Sequence, residues 1–299
     1  MIRLDTSSRQ HVPFRRIVPN MLTTVSLCSG LASIHYALKA GAIPHTPENA
    51  AQIESLWKTS MMAIGVAAVF DLLDGRAARL LKASSRFGAV LDSLSDFLSF
   101  GVAPALLLHQ WMLRDHGALG MAAVLVFVLC AALRLARFTA MPKQPAWRSG
   151  FAKFFSGLPT PAAAGAVLVP PMLNVAKYFP IQSGKVSDTV MGVFESVEPS
   201  LVVGNTFLVA ILMISRVPMF SFKKFAVHRS AVVPLMVAIG LVVLALFRDP
   251  WLTVPVIVWA YLFSTALSVR SYRRVVAESI VEKARSVRPA HAPPEEAHA

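Results

Sequence analysis

Asp71-Leu-Leu-Asp74-Gly75-Arg76-Ala-Ala78-Arg79, then eight residues, then Gly88-Ala-Val-Leu-Asp92-Ser-Leu-Ser-Asp96, sets four carboxylates into otherwise apolar sequence. A bilayer-spanning helix does not carry ionisable groups without a use for them. On helical spacing Asp71, Asp74, Gly75 and Ala78 fall at i, i+3, i+4 and i+7 and share one face, while Gly88, Asp92 and Asp96 fall at i, i+4 and i+8 and share another. The short run Leu81-Lys82-Ala83-Ser84-Ser85-Arg86 folds these helices back as an antiparallel pair. The four aspartates then converge at similar depth, beside small residues that leave the helix backbones open to approach.

Like charges gathered in low dielectric repel one another and disfavour their own ionisation. One or two divalent cations remove that conflict. Oxygen-only ligands suit a hard ion such as Mg²⁺ or Mn²⁺, which pairs a few carboxylates with substrate phosphates. The stretch therefore points to metal-assisted chemistry on a phosphate ester at a membrane. A proton relay or ion path through a transporter also uses intramembrane aspartate and stays open on the carboxylates alone.

The rest of the chain agrees with a membrane setting. It has 299 residues, 55% hydrophobic and 15% charged, with a mean hydropathy of +0.58. Soluble domains carry about 25% charged residues, so the composition predicts an all-α polytopic membrane protein. The net charge of +13 then marks cytoplasmic loops and contact with anionic lipid rather than nucleic acid. Cys28 and Cys130 both sit in apolar spans and read as buried small hydrophobes, with no disulfide framework or thiol metal site. The polar, basic first sixteen residues give no cleavable signal peptide.

In chain order, residues 1–16 form a basic arm with Arg3, Arg9, Arg15 and Arg16, lying on anionic headgroups. A first span over 17–40 opens with Pro19-Asn20-Met-Leu-Thr23, and residues 41–55 read as a polar loop. Spans over 56–81 and 87–113 carry the aspartates, a fourth covers 119–138, and a fifth runs from Gly157 to about Tyr178. Three more cover 200–215, 231–247 and 251–269, giving about eight transmembrane helices within a catalytic domain of residues 17–270. Residues 271–299 form a basic, then disordered, tail. With the amino terminus in the cytoplasm, 23 of the 29 Lys and Arg fall on the cytoplasmic side, the asymmetry that orients membrane proteins. Both termini are then cytoplasmic. Asp71 and Asp96 each lie about ten residues from the cytoplasmic turn, roughly 15 Å deep at 1.5 Å per residue, so the site needs a cavity open to the cytoplasm.

With every signature position filled, Asp-x2-Asp-Gly-x2-Ala-Arg-x8-Gly-x3-Asp-x3-Asp resembles the motif of the CDP-alcohol phosphotransferases (CDP-alcohol phosphatidyltransferase class I), integral membrane enzymes. Further stretches resemble the phosphatidylserine synthase branch of that family. They are Ser93 to Ala105, Leu133-Arg134-Leu-Ala-Arg137-Phe138, Phe155-Ser-Gly-Leu-Pro159-Thr-Pro161, and Ser215-Arg216-Val-Pro218-Met-Phe-Ser221-Phe-Lys223. Thr139 departs from the Asn more usual there, and the last two spans are additional to a six-helix family core.

The resemblance implies that CDP-diacylglycerol and L-serine are the substrates and that CMP is released. It implies Asp71, Asp74, Asp92 and Asp96 at one or two ions of Mg²⁺ or Mn²⁺, with Asp96 also the general base. Asn20, Thr23, Gly75, Arg79 and Ser85 match positions facing the CDP-diacylglycerol headgroup. The residue chemistry is compatible: glycine admits close approach, and an arginine fork suits phosphate. Ala78 reads as close packing, and Lys82 and Arg86 as basic anchors at a helix end. Serine's carboxylate needs a cation, for which Arg134, Arg137, Lys153 and Arg216 lie on the required face. The resemblance also implies a homodimer, in a bacterial inner (plasma) membrane. A sibling reaction on glycerol 3-phosphate or inositol phosphate, and an aspartate-dependent transporter, are the competing readings.

Overall fold

The computed structural model describes residues 14–83, 85–140, 154–177, 199–215, 218–220 and 232–264. Helices account for nearly all of them: α1 Phe14–Ala42, α2 Ala50–Leu80, α3 Arg86–Asp96, α4 Ala103–Trp111, α5 Gly117–Ala140, α6 Thr160–Lys177, α7 Pro199–Ile214, α8 Val232–Arg248 and α9 Pro250–Ser264. Among the described residues, four continuous helical stretches are long and apolar enough to cross a membrane: Ile17–Ala42, Pro47–Leu80, Arg86–Trp111 and Leu113–Ala140. The apolar stretches from residue 160 on are shorter: Thr160–Ala176, Ser200–Ile214, Val232–Arg248 and Pro250–Ser264. The expected arm over 1–16 falls almost wholly, and the tail over 271–299 entirely, outside the described residues.

Helix α1 is the axis of the site. Its buried stripe is Pro19, Thr23, Ser26, Gly30, Ser33, Ala37 and Ala40, all small or short side chains at alternating three- and four-residue spacing. In lipid, small residues let helix backbones approach and hydroxyls bond across the seam. Accordingly Ser33 and Ser60 oxygens lie 3.0 Å apart, and the Ser26 hydroxyl donates to the Ala67 carbonyl at 3.0 Å. On the other side Ser99 donates to the Ser26 carbonyl at 3.2 Å. Gly30 fits so closely that a Cβ there would stand 3.0 Å from the Ser99 Cα. These contacts fix the rotation of α1 against both aspartate-bearing helices.

The turn between α2 and α3 ends α2 in paired bonds, Lys82 N–H to the Arg79 carbonyl at 3.3 Å and Ala83 N–H to the Ala78 carbonyl at 3.0 Å. This is the Schellman pattern, usually made with glycine at the left-handed position; here Lys82 occupies it, with φ of 49°. Ser85 then caps α3, its Oγ accepting from Gly88 N–H at 2.9 Å.

Three expectations are corrected. Residues 41–55 are not all loop: α2 starts at Ala50, because Ala50-Ala-Gln-Ile-Glu54-Ser favours helix and an i,i+4 pair of Glu54 with Lys58 supports its polar extension. The span over 87–113 is not a single regular helix, since Phe97–Val102 forms a π-helical turn in which Ala103 N–H bonds the Leu98 carbonyl. Pro104 has no N–H to give the Phe100 carbonyl, and the wider turn adapts to that loss. Cys28 is exposed on α1, whereas Cys130 is buried as expected.

Beyond the α1–α4 group, the core closes around Phe100, Leu107, Leu108, Phe127, Leu168, Val202 and Met213, joining α4, α5, α6 and α7. A two-stranded antiparallel ribbon, unforeseen in an all-helical chain, pairs β1 Phe154–Ser156 with β2 Pro218–Phe220, with Phe155 opposite Met219. Gly157 follows it at φ 80°, where a Cβ would stand 2.6 Å from the Met213 carbonyl oxygen. The two C-terminal helices differ: α8 has no buried residue, while α9 packs Trp251, Val254, Val258 and Tyr261 on the core.

Candidate active site

Helical spacing does bring the aspartates together. Asp71 and Asp74 project from α2 and Asp92 from α3, and one carboxylate oxygen from each lies within 4.8 Å of the others. Asp74 is buried, at 4% exposure, and the other two are half-buried. Asp96, one turn beyond Asp92, sits within hydrogen-bonding reach of Asp71. Among the described residues no imidazole or thiolate joins the group. An oxygen-only set at this spacing, formed by carboxylates that would otherwise repel, fits a hard divalent ion.

Beside the carboxylates lies a cavity of about 150 Å³ between α1, α2 and α3. Asp74 and Asp92 form part of its wall, as do Asn20, Thr23, Gly75 and Ser85, four of the five residues expected to face the nucleotide headgroup. Gly75 has nothing within 4 Å of the place its Cβ would occupy, so its backbone faces open space. Gly88 does the opposite: a Cβ there would stand 2.9 Å from Asn20 Oδ1, so its absence lets Asn20 lie against α3. Because the Ser85 oxygen accepts from Gly88 N–H, its hydroxyl proton remains to be donated into the cavity. Arg79 is exposed at the end of α2 and does not form part of the cavity wall.

A second polar place adjoins the first through Arg134 of α5. Its guanidinium lies within electrostatic range of Asp96 and of Tyr261 of α9. The guanidinium donates through Nη1 to Thr160 Oγ1 at 3.0 Å and stacks over the Phe138 ring, 4.7 Å from its centroid. Its Nε is buried with no hydrogen-bond partner among the described residues. Arg134 and Arg137 line a cavity of about 120 Å³ with Leu133, Phe138, Met213 and Ile214. Lys153 and Arg216, the other two basic residues expected here, lie outside the described residues.

Thr160 and Tyr261 are not candidate site residues on sequence grounds. Thr160 stands in a quoted stretch, between two prolines at a helix start, but nothing local linked it to Arg134. Tyr261 is an aromatic inside an apolar span, a position that ordinary packing explains equally well.

Residues 16–197 match the CDP-alcohol phosphatidyltransferase family. The chain belongs to that family. It is 35% identical over 262 residues to a CDP-diacylglycerol–serine O-phosphatidyltransferase of Mycobacterium bovis, covering 86% of this chain and 80% of that one. It is 29% identical over 252 residues to the protein of the same description in Helicobacter pylori, covering 82% and 92%. A shorter match, 44% identical over 105 residues, joins it to another in Methanocaldococcus jannaschii, covering 35% of this chain and 46% of that protein. With its apolar helices, this membership makes the chain an integral membrane enzyme.

Proposed function

We propose that the chain transfers the phosphatidyl group of CDP-diacylglycerol to the hydroxyl of L-serine, giving phosphatidylserine and CMP. The observation that carries this reading is the carboxylate group, with one oxygen each from Asp71, Asp74 and Asp92 within 4.8 Å of one another, Asp96 within hydrogen-bonding reach of Asp71, and the Arg134 guanidinium within electrostatic range of Asp96. A phosphate donor and a carboxylate-bearing acceptor would meet at Asp96. The long matches to relatives described as serine phosphatidyltransferases support the choice of acceptor.

In this reading Asp71, Asp74 and Asp92 hold one or two divalent ions, Mg²⁺ or Mn²⁺, with Asp96 sharing an ion or standing beside it. A divalent ion held there supplies positive charge for the pyrophosphate and for the CMP that leaves. Gly75, Asn20 and Ser85 receive the cytidine nucleotide, Gly75 by admitting it to the backbone and Ser85 by donating its free proton. Thr23 belongs to the same wall, and Arg79 reaches a phosphate from outside it. Arg134 and Arg137 take the serine carboxylate, with Lys153 and Arg216 as further cations on the same side. Asp96 accepts the proton of the serine hydroxyl, and the resulting alkoxide attacks the phosphorus that bears diacylglycerol. The bond from that phosphorus to the bridging oxygen breaks, and CMP departs with the electron pair.

The charge asymmetry of the loops supports a cavity open to the cytoplasm, both termini on that side, about eight spans and an inner-membrane location. The basic arm and tail meet anionic lipid, and family resemblance supports a homodimer. The test is acceptor choice by purified protein supplied with CDP-diacylglycerol and Mn²⁺. Phosphatidylserine and CMP in equal amounts with serine, and no lipid product with glycerol 3-phosphate, is the expected result. A lipid product from glycerol 3-phosphate in place of serine would overturn the acceptor assignment.

A further inference from the structure

Thr23 meets all three helices of the carboxylate site. Its Oγ1 lies 2.5 Å from Asp74 Oδ2 on α2 and 3.0 Å from the Pro19 carbonyl oxygen on its own helix. Its carbonyl oxygen faces Ser95 Oγ of α3 at 3.4 Å. Both side chains of the Thr23–Asp74 contact are 4% exposed.

A hydroxyl has one proton to donate. Bonding back to the carbonyl four residues earlier is an ordinary use of threonine in a helix, and that would explain the Pro19 contact alone. It does not explain a 2.5 Å approach to a buried carboxylate oxygen. Two oxygens so close, one of them anionic, repel unless a proton lies between them, and that distance is characteristic of O–H···O⁻ bonds. The Thr23 hydroxyl therefore donates its proton to Asp74 Oδ2, and the Pro19 carbonyl lies beside it as an additional acceptor. The bonds of Ser26 to Ala67 and of Ser99 to Ser26 fix α1 one turn away, so helix packing brings Thr23 to Asp74.

We propose that Thr23 is a positioning residue for the metal group: its hydroxyl engages Asp74 Oδ2, so that the carboxylate turns its other oxygen toward Asp71 and Asp92. This rests on the reading that the carboxylates hold a divalent ion. It changes the role expected of Thr23, which has no proton left to donate to a nucleotide headgroup. Partners that orient a metal-bound carboxylate typically matter about 10–100-fold in metal affinity.

The test is direct Mn²⁺ binding to purified protein in detergent without lipid substrate, followed by the electron paramagnetic resonance of free Mn²⁺. It is paired with the KM for CDP-diacylglycerol at saturating Mn²⁺. Thr23→Val, which keeps the shape and removes the hydroxyl, is expected to weaken Mn²⁺ binding about tenfold or more, with KM unchanged at saturating metal. Thr23→Ser is expected to restore binding. If Thr23→Val does not survive purification, Thr23→Ala against Thr23→Ser carries the same contrast. Wild-type Mn²⁺ affinity in the hydroxyl-free variant, with a raised KM, would overturn the proposal and return Thr23 to the nucleotide. Weak binding in both folded Thr23→Ser and the hydroxyl-free variant would also overturn it, assigning the effect to the lost methyl group. Failure of the wild-type protein itself to bind Mn²⁺ would overturn the metal reading beneath it.

Discussion

Around the aspartates every wall of the cavity comes from residues between Pro19 and Asp92, on three helices joined by short connections. Around Arg134 the neighbours come from Phe138, Thr160, Met213 and Tyr261, on four separate segments. The first place is tied together by hydroxyl-to-backbone bonds across α1, α2 and α3. Among the described residues the second holds one arginine by a single side-chain bond and a ring and leaves its Nε without a partner. In the proposed reaction the first is the donor half, built by local spacing, and the second the acceptor half, built by tertiary assembly. Changing the first should therefore affect metal and nucleotide together, and changing the second should affect the acceptor alone.

The largest separation is expected from chelation. EDTA should abolish CMP release, and Mg²⁺ or Mn²⁺ should restore it; full turnover by exhaustively stripped protein would remove the metal from the carboxylate half. Next, Asp71→Asn, Asp74→Asn or Asp92→Asn should raise the Mn²⁺ needed for half-maximal rate, with partial recovery at high Mn²⁺ and no change in the KM for serine. A serine-specific effect from any of the three would break the division between halves. On the other side, Arg134→Ala removes a hydrogen-bonding charge, worth about 1.5–3 kcal/mol, so the KM for serine should rise roughly 10–100-fold at about 1.4 kcal/mol per decade. Equilibrium binding of CDP-diacylglycerol should not change. Thr160→Val, which frees Arg134 without removing it, should give the smallest effect, a KM increase of roughly a few fold, consistent with the about 1 kcal/mol net worth of one hydrogen bond.

What could be read from the sequence follows the same line. Asp71, Asp74, Asp92 and Asp96 lie on two short helical stretches, and helical periodicity is enough to bring them together. Asn20 and Ser85 came from the family pattern, but the Gly88–Asn20 contact and the capping bond of Ser85 depend on how α1 docks on α3. The partners of Arg134 are distant in sequence, and no local rule selects Thr160 or Tyr261 from other helix residues.

Surface and core are also hard to tell apart in a chain of this kind, because lipid-facing and buried side chains are both apolar. For that reason Cys28 is expected to be buried on sequence grounds, yet it is exposed. It is also why α8 and α9, read alike as two added spans, differ so much. Phe247 of α8 is 86% exposed, whereas Trp251, a few residues on, is 7% exposed in the core. The ribbon of β1 with β2 escaped notice because three-residue strands carry too little alternation to register against apolar helices.

In the proposed reaction the two halves meet at Asp96. The most direct measurement is CMP release by Asp96→Asn across a Mn²⁺ titration, alongside equilibrium binding of CDP-diacylglycerol. A general base contributes about 10²–10⁴-fold. The account therefore predicts a rate lowered by at least that range at every Mn²⁺ concentration, with the nucleotide-lipid bound nearly as in the wild type. Turnover restored to Asp96→Asn by added Mn²⁺ alone would contradict it and leave Asp96 a metal ligand like the other three.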